Sequence, residues 1–213
     1  MAVKNDREYR DMTIEVRTLE NEEVPDERKI VTGYASTFNE PYTLYENDDW
    51  RFNEVVDARA FDNTDMSDVI MQYDHEGRVF ARMSNNTLTV TPDDRGLLIE
   101  ADLGGTELGR QLFEEIRGGY TNKMSFGFTV DGEEVRDMKD ADGKDLTVRT
   151  ITSVRKLYDV SAVSLPANDA TSISVRTLTD GEIERIQAER LEAEALELRR
   201  RKLLMKAKLN GGQ

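Results

Sequence analysis

Apolar residues in this chain come in short runs of alternating pattern, each closed by a turn signal, and this limits the fold more than any other feature. Alternation with period two is the mark of a strand with one buried face. The runs at 12–19, 29–38 and 69–73 read as strands, with 57–63 a short helix or a turn between them. Residues 79–83 and 87–91 alternate around Ser84-Asn85-Asn86, which predicts a hairpin. Pro92-Asp93-Asp94-Arg95-Gly96 is a turn signal, and 97–103 returns as a strand. Strands resume at 121–130, 146–157 and 158–165, with 172–178 a last short one. The first ten residues are polar and read as loose. The period changes once, where Leu108, Leu112, Phe113 and Ile116 fall at helical spacing and Gly118-Gly119 ends the helix. The fold class is therefore mainly β with helices (α+β), as a small, mostly antiparallel barrel or sandwich.

Beyond Leu178 the composition shifts to Glu, Arg, Leu and Ala. Residues 179–209 contain no proline, and Thr179 or Asp180 can cap a helix that ends in Arg199-Arg200-Arg201-Lys202, as the helix dipole favours. The expected organisation is a domain at 1–178 and a C-terminal helical tail at 179–213. Ala188, Leu191, Ala195, Leu198, Met205 and Leu209 keep a three-four spacing, interrupted by Lys202. That stripe suits either packing on the domain or pairing with a partner helix.

Charge and composition exclude several functions. There are 29 Lys and Arg against 43 Asp and Glu, a formal charge of −14. This repels phosphate backbones and anionic membrane surfaces. No apolar run approaches the roughly 18 residues of a membrane span, and no signal peptide is recognisable, which suits a cytoplasmic origin. With no cysteine, the chain has no disulfide framework, no thiolate zinc site and no cysteine nucleophile.

Three segments can carry chemistry. His75 is the single histidine, set in Tyr73-Asp74-His75-Glu76-Gly77 where a strand ends and the chain turns. Histidine is the usual general base near neutral pH; the alternative is an inert side chain. The second histidine of a His-Glu-x-x-His zinc motif is missing. In Lys123-Met124-Ser125-Phe126-Gly127-Phe128, a strand would put Met124, Phe126 and Phe128 on one face and Ser125 and Gly127 on the other. Ser125 is then a nucleophile beside a glycine, or an ordinary solvent-facing serine, and Lys123 is an alternative partner on its face. Asp159 stands in the apolar stretch 157–165, where a carboxylate needs a partner, either a histidine or an arginine. The acidic run 137–145 looks like a calcium loop, but aligning Gly143 puts Met138 and Arg149 at ligand positions; it reads as a solvated hairpin loop.

Taken together and in order, these segments resemble the tailed-bacteriophage prohead protease family. The resemblance rests on Gly-Tyr-Ala-Ser-Thr-Phe at 33–38, Asp74-His75, Gly96-Leu97, Arg117-Gly118-Gly119, Met-Ser-Phe-Gly-Phe at 124–128 and Leu-Tyr-Asp-Val-Ser-Ala-Val-Ser-Leu-Pro-Ala-Asn at 157–168. The family is related in fold to herpesvirus assemblins, which implies a small antiparallel β-barrel of that type plus helices. It implies a serine endopeptidase of capsid maturation with His75 as base, Ser125 as nucleophile and Asp159 as the third member, where the family more usually has glutamate. By analogy with the assemblins, Ala167 and Asn168 lie in the segment that would supply oxyanion donors. No metal or organic cofactor is implied. The implied partners are the major capsid protein with its scaffold segment and the chain itself, as self-cleavage target or homo-oligomer, with no nucleic acid and no membrane. The implied place is inside the prohead, in the host bacterial cytoplasm. The competing class is a non-catalytic scaffold or capsid-assembly protein of the same fold.

Overall fold

The computed structural model describes residues 7–12, 17–18 and 28–164, together with Ala188, Glu192, Leu196 and Arg199, which are helical. The chain divides into two units, Met1–Ser174 and Val175–Gln213. The expected strand at 172–178 and the rest of the expected tail helix lie outside the described residues.

In the first unit the alternating runs form strands β1 (Glu8–Met12), β2 (Arg17–Thr18), β3 (Ile30–Thr37), β4 (Tyr42–Glu46), β5 (Trp50–Val56), β6 (Ile70–Tyr73) and β7 (Glu76–Arg82). There follow β8 (Leu88–Pro92), β9 (Gly96–Asp102), helix α1 (Glu107–Arg117), β10 (Lys123–Lys139) and β11 (Asp145–Val163). Asn86, in left-handed backbone after a short 3-10 turn, lets the chain pass from β7 to β8. The run at 57–63 is a set of turns rather than a helix. Helix α1 starts at Thr106, whose hydroxyl accepts the Gly109 N–H at 2.9 Å. It buries Leu112, Phe113 and Ile116 of the stripe its spacing predicts, while Leu108, in the first turn, is exposed.

Two sheets result. One runs β1-β10-β11-β5-β4, with β6 beside β11 and β7 beside β6; the other runs β2-β3-β9-β8. Strand β11 organises the first. Its early part, from Asp145 to Ile151, lies parallel to β5, and its late part, from Asp159 to Ala162, lies parallel to β6. Where β10 and β11 run antiparallel, register shifts between Gly127 and Glu133 bend the pair. Between the sheets sit Val31, Phe38, Met71, Leu97, Ile99, Phe113, Phe126, Phe128, Ile151, Leu157 and Val160. Phe126 and Phe128 stack at 4.6 Å between ring centroids.

Four expectations are corrected. Closure into an antiparallel barrel is not found among the described residues: the pairings give two open sheets, two of whose ladders are parallel. Alternation tells which face of a strand is buried but not which strand lies beside it, so the sequence pattern cannot separate a curled open sheet from a barrel. The expected strands 146–157 and 158–165 are one continuous β11, because the chain crosses Leu157-Tyr158 without a turn. The polar start, read as loose, contains β1. Residues 42–56, for which no strand was expected, form β4 and β5.

Candidate active site

Tyr73 and Glu76 face each other across a two-residue turn made of Asp74 and His75, both in left-handed backbone at φ 48° and 60°. That is the turn whose twist suits a tight hairpin, and aspartate and histidine tolerate it better than most residues. The turn is tied to the end of β11: the Asp74 N–H donates to the Ala162 carbonyl at 3.0 Å, and Asp74 Oδ1 accepts the Ser164 N–H at 2.9 Å. These bonds hold the imidazole over the central strands.

Ser125 on β10 lies opposite Ser161 on β11, and Gly127 lies opposite Asp159. The alternation read from the sequence holds on β10, with Met124, Phe126 and Phe128 fully buried in the core. Ser125 turns the other way, yet it is not solvent-facing: its exposure is 0%, as is that of Asp159. The structure brings the three expected residues into line. His75 Nδ1 is 2.6 Å from Asp159 Oδ1, and His75 Nε2 is 2.5 Å from Ser125 Oγ. A carboxylate only accepts, so Nδ1 carries the proton and donates it to Asp159, leaving Nε2 as the acceptor for the serine hydroxyl. Gly127 makes room for this arrangement, since a Cβ there would stand 2.5 Å from Asp159 Oδ2.

Asp159 takes both kinds of partner that its apolar setting demanded. Besides His75 it pairs with Arg7 through Oδ2, and Oδ1 also accepts the Ser161 hydroxyl at 2.7 Å. Arg7 lies over the rings of Tyr158 (4.5 Å) and Tyr9 (5.0 Å), and Tyr9 meets His75 edge-on at 4.4 Å between centroids. Ser125 Oγ has a second neighbour, the Arg10 carbonyl oxygen at 3.0 Å. Lys123, the alternative partner for Ser125, stands at the start of β10 opposite Val163.

Behind β1 is a buried charge cluster. Arg10 forks onto Glu54 at 2.6 and 3.0 Å and reaches Glu8 at 2.5 Å. Arg149 Nη1 contacts Glu8 and Glu54 at 2.7 Å each, and its Nε contacts Glu133 at 2.7 Å. Burial alone would raise the Glu8 carboxyl, but Arg149 and Arg10 outweigh it and hold Glu8 at about 2. Glu54 is lowered in the same way, its burial overcome by Arg10 and Arg149.

Arg7, Tyr9 and Ser161 were not found from the sequence. Ser161 had a usable signal, because its register with Asp159 on the same strand face follows from alternation. Arg7 and Tyr9 sit in a polar segment with no pattern that points to a site. The acidic loop expected near 137–145 is the β10–β11 turn, where Asp140 Oδ1 accepts the N–H groups of Asp142 and Lys144. Ala167 and Asn168 lie outside the described residues.

A hydroxyl, an imidazole and a carboxylate bonded in that order form the arrangement by which serine hydrolases activate a nucleophile. The model of the family described as caudovirus prohead serine protease matches residues 13–185. The chain belongs to this family of tailed-phage serine proteases of capsid maturation. No curated protein and no solved structure matches it.

Proposed function

We propose that this chain cuts peptide bonds by acyl transfer inside the prohead, with Ser125 as nucleophile, His75 as general base and acid, and Asp159 as the residue that orients the imidazole. The observation that carries the reading is the His75 ring bridging Asp159 Oδ1 at 2.6 Å and Ser125 Oγ at 2.5 Å. His75 Nε2 takes the hydroxyl proton as Oγ attacks the scissile carbonyl carbon, and returns it to the leaving amine as the peptide bond breaks. Water then attacks the ester carbonyl as it gives a proton to the same nitrogen, and the imidazolium returns that proton to Ser125 Oγ as the ester C–O bond breaks. Asp159 fixes the tautomer and stabilises the imidazolium formed in both halves. Ser161 supports Asp159 by donating to the oxygen that faces His75. Backbone N–H donors for the oxyanion belong to the same mechanism, each worth about 2.7–4 kcal/mol in other serine enzymes.

The substrates in this reading are the scaffold segment of the major capsid protein and the chain itself. Membership in a prohead protease family supports the first, and the second is part of the same reading. Among the described residues no helix is long and apolar enough to cross a membrane. Co-assembly with capsid protein that carries its scaffold segment tests the proposal. Wild-type chain should yield shortened capsid and protease fragments, and Ser125→Ala, verified as folded by circular dichroism, should yield none. Wild-type cleavage by Ser125→Ala overturns Ser125 as the nucleophile, and no cleavage by the wild-type chain itself favours a scaffold role.

A further inference from the structure

Strand β1, with the residue before it, touches every member of the proposed catalytic array. Arg7 pairs with Asp159, the Tyr9 ring packs on His75, and the Arg10 carbonyl takes a place beside Ser125 Oγ at 3.0 Å. Alternation along the strand separates two tasks. Residues 7 and 9 cover the site, while Glu8 and Arg10 point the other way, into the cluster with Glu54 and Arg149.

Each contact on the site opposes acyl transfer. Ser125 has one hydroxyl proton, and the Arg10 carbonyl competes for it with His75 Nε2. A guanidinium on Asp159 cancels the charge that would stabilise the imidazolium. Tyr9 fills the space beside the ring, and with Ser125 at 0% exposure no substrate carbonyl reaches Oγ. The Arg7 side chain is held imperfectly: its Nε is buried without a hydrogen-bond partner, a loss that lifting the side chain into water removes. Moreover, β1 lies upstream of the segment that matches the family, which begins at residue 13.

We propose that β1 is an inhibitory strap, anchored by Glu8 and Arg10, which holds Ser125, His75 and Asp159 latent through Arg7 and Tyr9 until it is lifted. The inference rests on Ser125 being the nucleophile. It concerns when the array works, not what it does.

The test uses the full-length chain and a fluorophosphonate probe. In that reaction a Ser125 Oγ–P bond forms, the P–F bond breaks, and the hydroxyl proton passes to His75 and then to solvent while fluoride leaves. Wild type is compared with Arg7→Gln/Tyr9→Ala, which keeps both anchors, and the adduct at Ser125 is followed in time by peptide mass spectrometry. The double variant should label about tenfold faster or more, the factor carried by about 1.4 kcal/mol of barrier. Arg7→Gln alone, which alters a side chain one-third exposed, should accelerate labelling in the same direction and covers the case of a double variant that does not fold. Labelling of Ser125 at an equal or lower rate in the folded variants overturns the strap and leaves Ser125 as nucleophile. No adduct at Ser125 in any of the proteins sinks the enzymatic reading, and the strap with it.

Discussion

Arg149→Met is the most informative perturbation of the scaffold, because Arg149 joins three strands through charge. The side chain is 2% exposed and serves Glu8, Glu54 and Glu133. Removing it leaves these three carboxylates with Arg10 as the cluster's remaining guanidinium, and Glu8 and Glu54 have almost no access to water. Breaking a buried pair from one side costs about 3–5 kcal/mol, since the orphaned charge stays desolvated. Against a typical total of about 5–15 kcal/mol, that is a large share. Trp50, the single tryptophan, is a local reporter: it is buried on β5, four residues before Glu54, and donates its indole N–H to Thr147 at 2.9 Å. Urea unfolding followed by Trp50 fluorescence at pH 7 should give a loss in this range with an unchanged slope in urea. The pH dependence has a definite sign. In the variant an under-compensated carboxylate binds its proton more tightly than in the unfolded chain, so protonation relieves the strain and the deficit shrinks as pH falls from 7 toward 5. A loss below about 1 kcal/mol, the scale of an exposed pair, or a deficit that does not change with pH, would refute the reasoning.

Other outcomes follow from the same geometry. Asp159→Ala should lower cleavage roughly thousandfold or more while costing only about 1–3 kcal/mol of stability, and Asp159→Glu should retain part of the rate; unchanged cleavage by Asp159→Ala in a co-assembly assay would make Asp159 a structural carboxylate. In the wild type, Glu8 is held at about 2 against an ordinary 4.5, which at about 1.4 kcal/mol per tenfold change in proton affinity is worth about 3 kcal/mol. Because the folded value is depressed, that stability is present above about pH 4.5 and is lost as pH falls toward 2. Acid unfolding monitored by Trp50 should therefore soften across that window in the wild type and less so in Glu8→Gln.

The legible part of the site was the part that alternation and scarcity expose. One histidine at a strand end, a serine opposite a face of Met124, Phe126 and Phe128, and a carboxylate in an apolar run each signalled a role without the other two. The family resemblance implied their convergence, but the strand patterns did not show it, because it depends on β6 lying parallel to β11, and such neighbours leave no mark on either strand's own pattern. Strand β1 was hidden for a different reason. Glu8 and Arg10 read as solvated residues until Arg149 and Glu54, 141 and 44 positions after them in turn, are seen to neutralise them. Strands β4 and β5 were missed on the same ground, since Glu54 interrupts what would otherwise be an apolar face of Trp50, Phe52 and Val56. Buried ion pairs thus removed polar segments from view, and the strap over the site went with them.

The central claim is that Ser125 Oγ becomes acylated, and trapping that ester tests it most directly. Wild-type chain mixed with a capsid-scaffold substrate is quenched in acid during the first turnovers, digested and mapped by mass spectrometry. The account predicts that the peptide containing Ser125 gains the mass of the acyl fragment, and that His75→Ala and Ser125→Ala show no such gain. Cleavage that proceeds with no adduct on Ser125, or with the adduct on another residue, would contradict it.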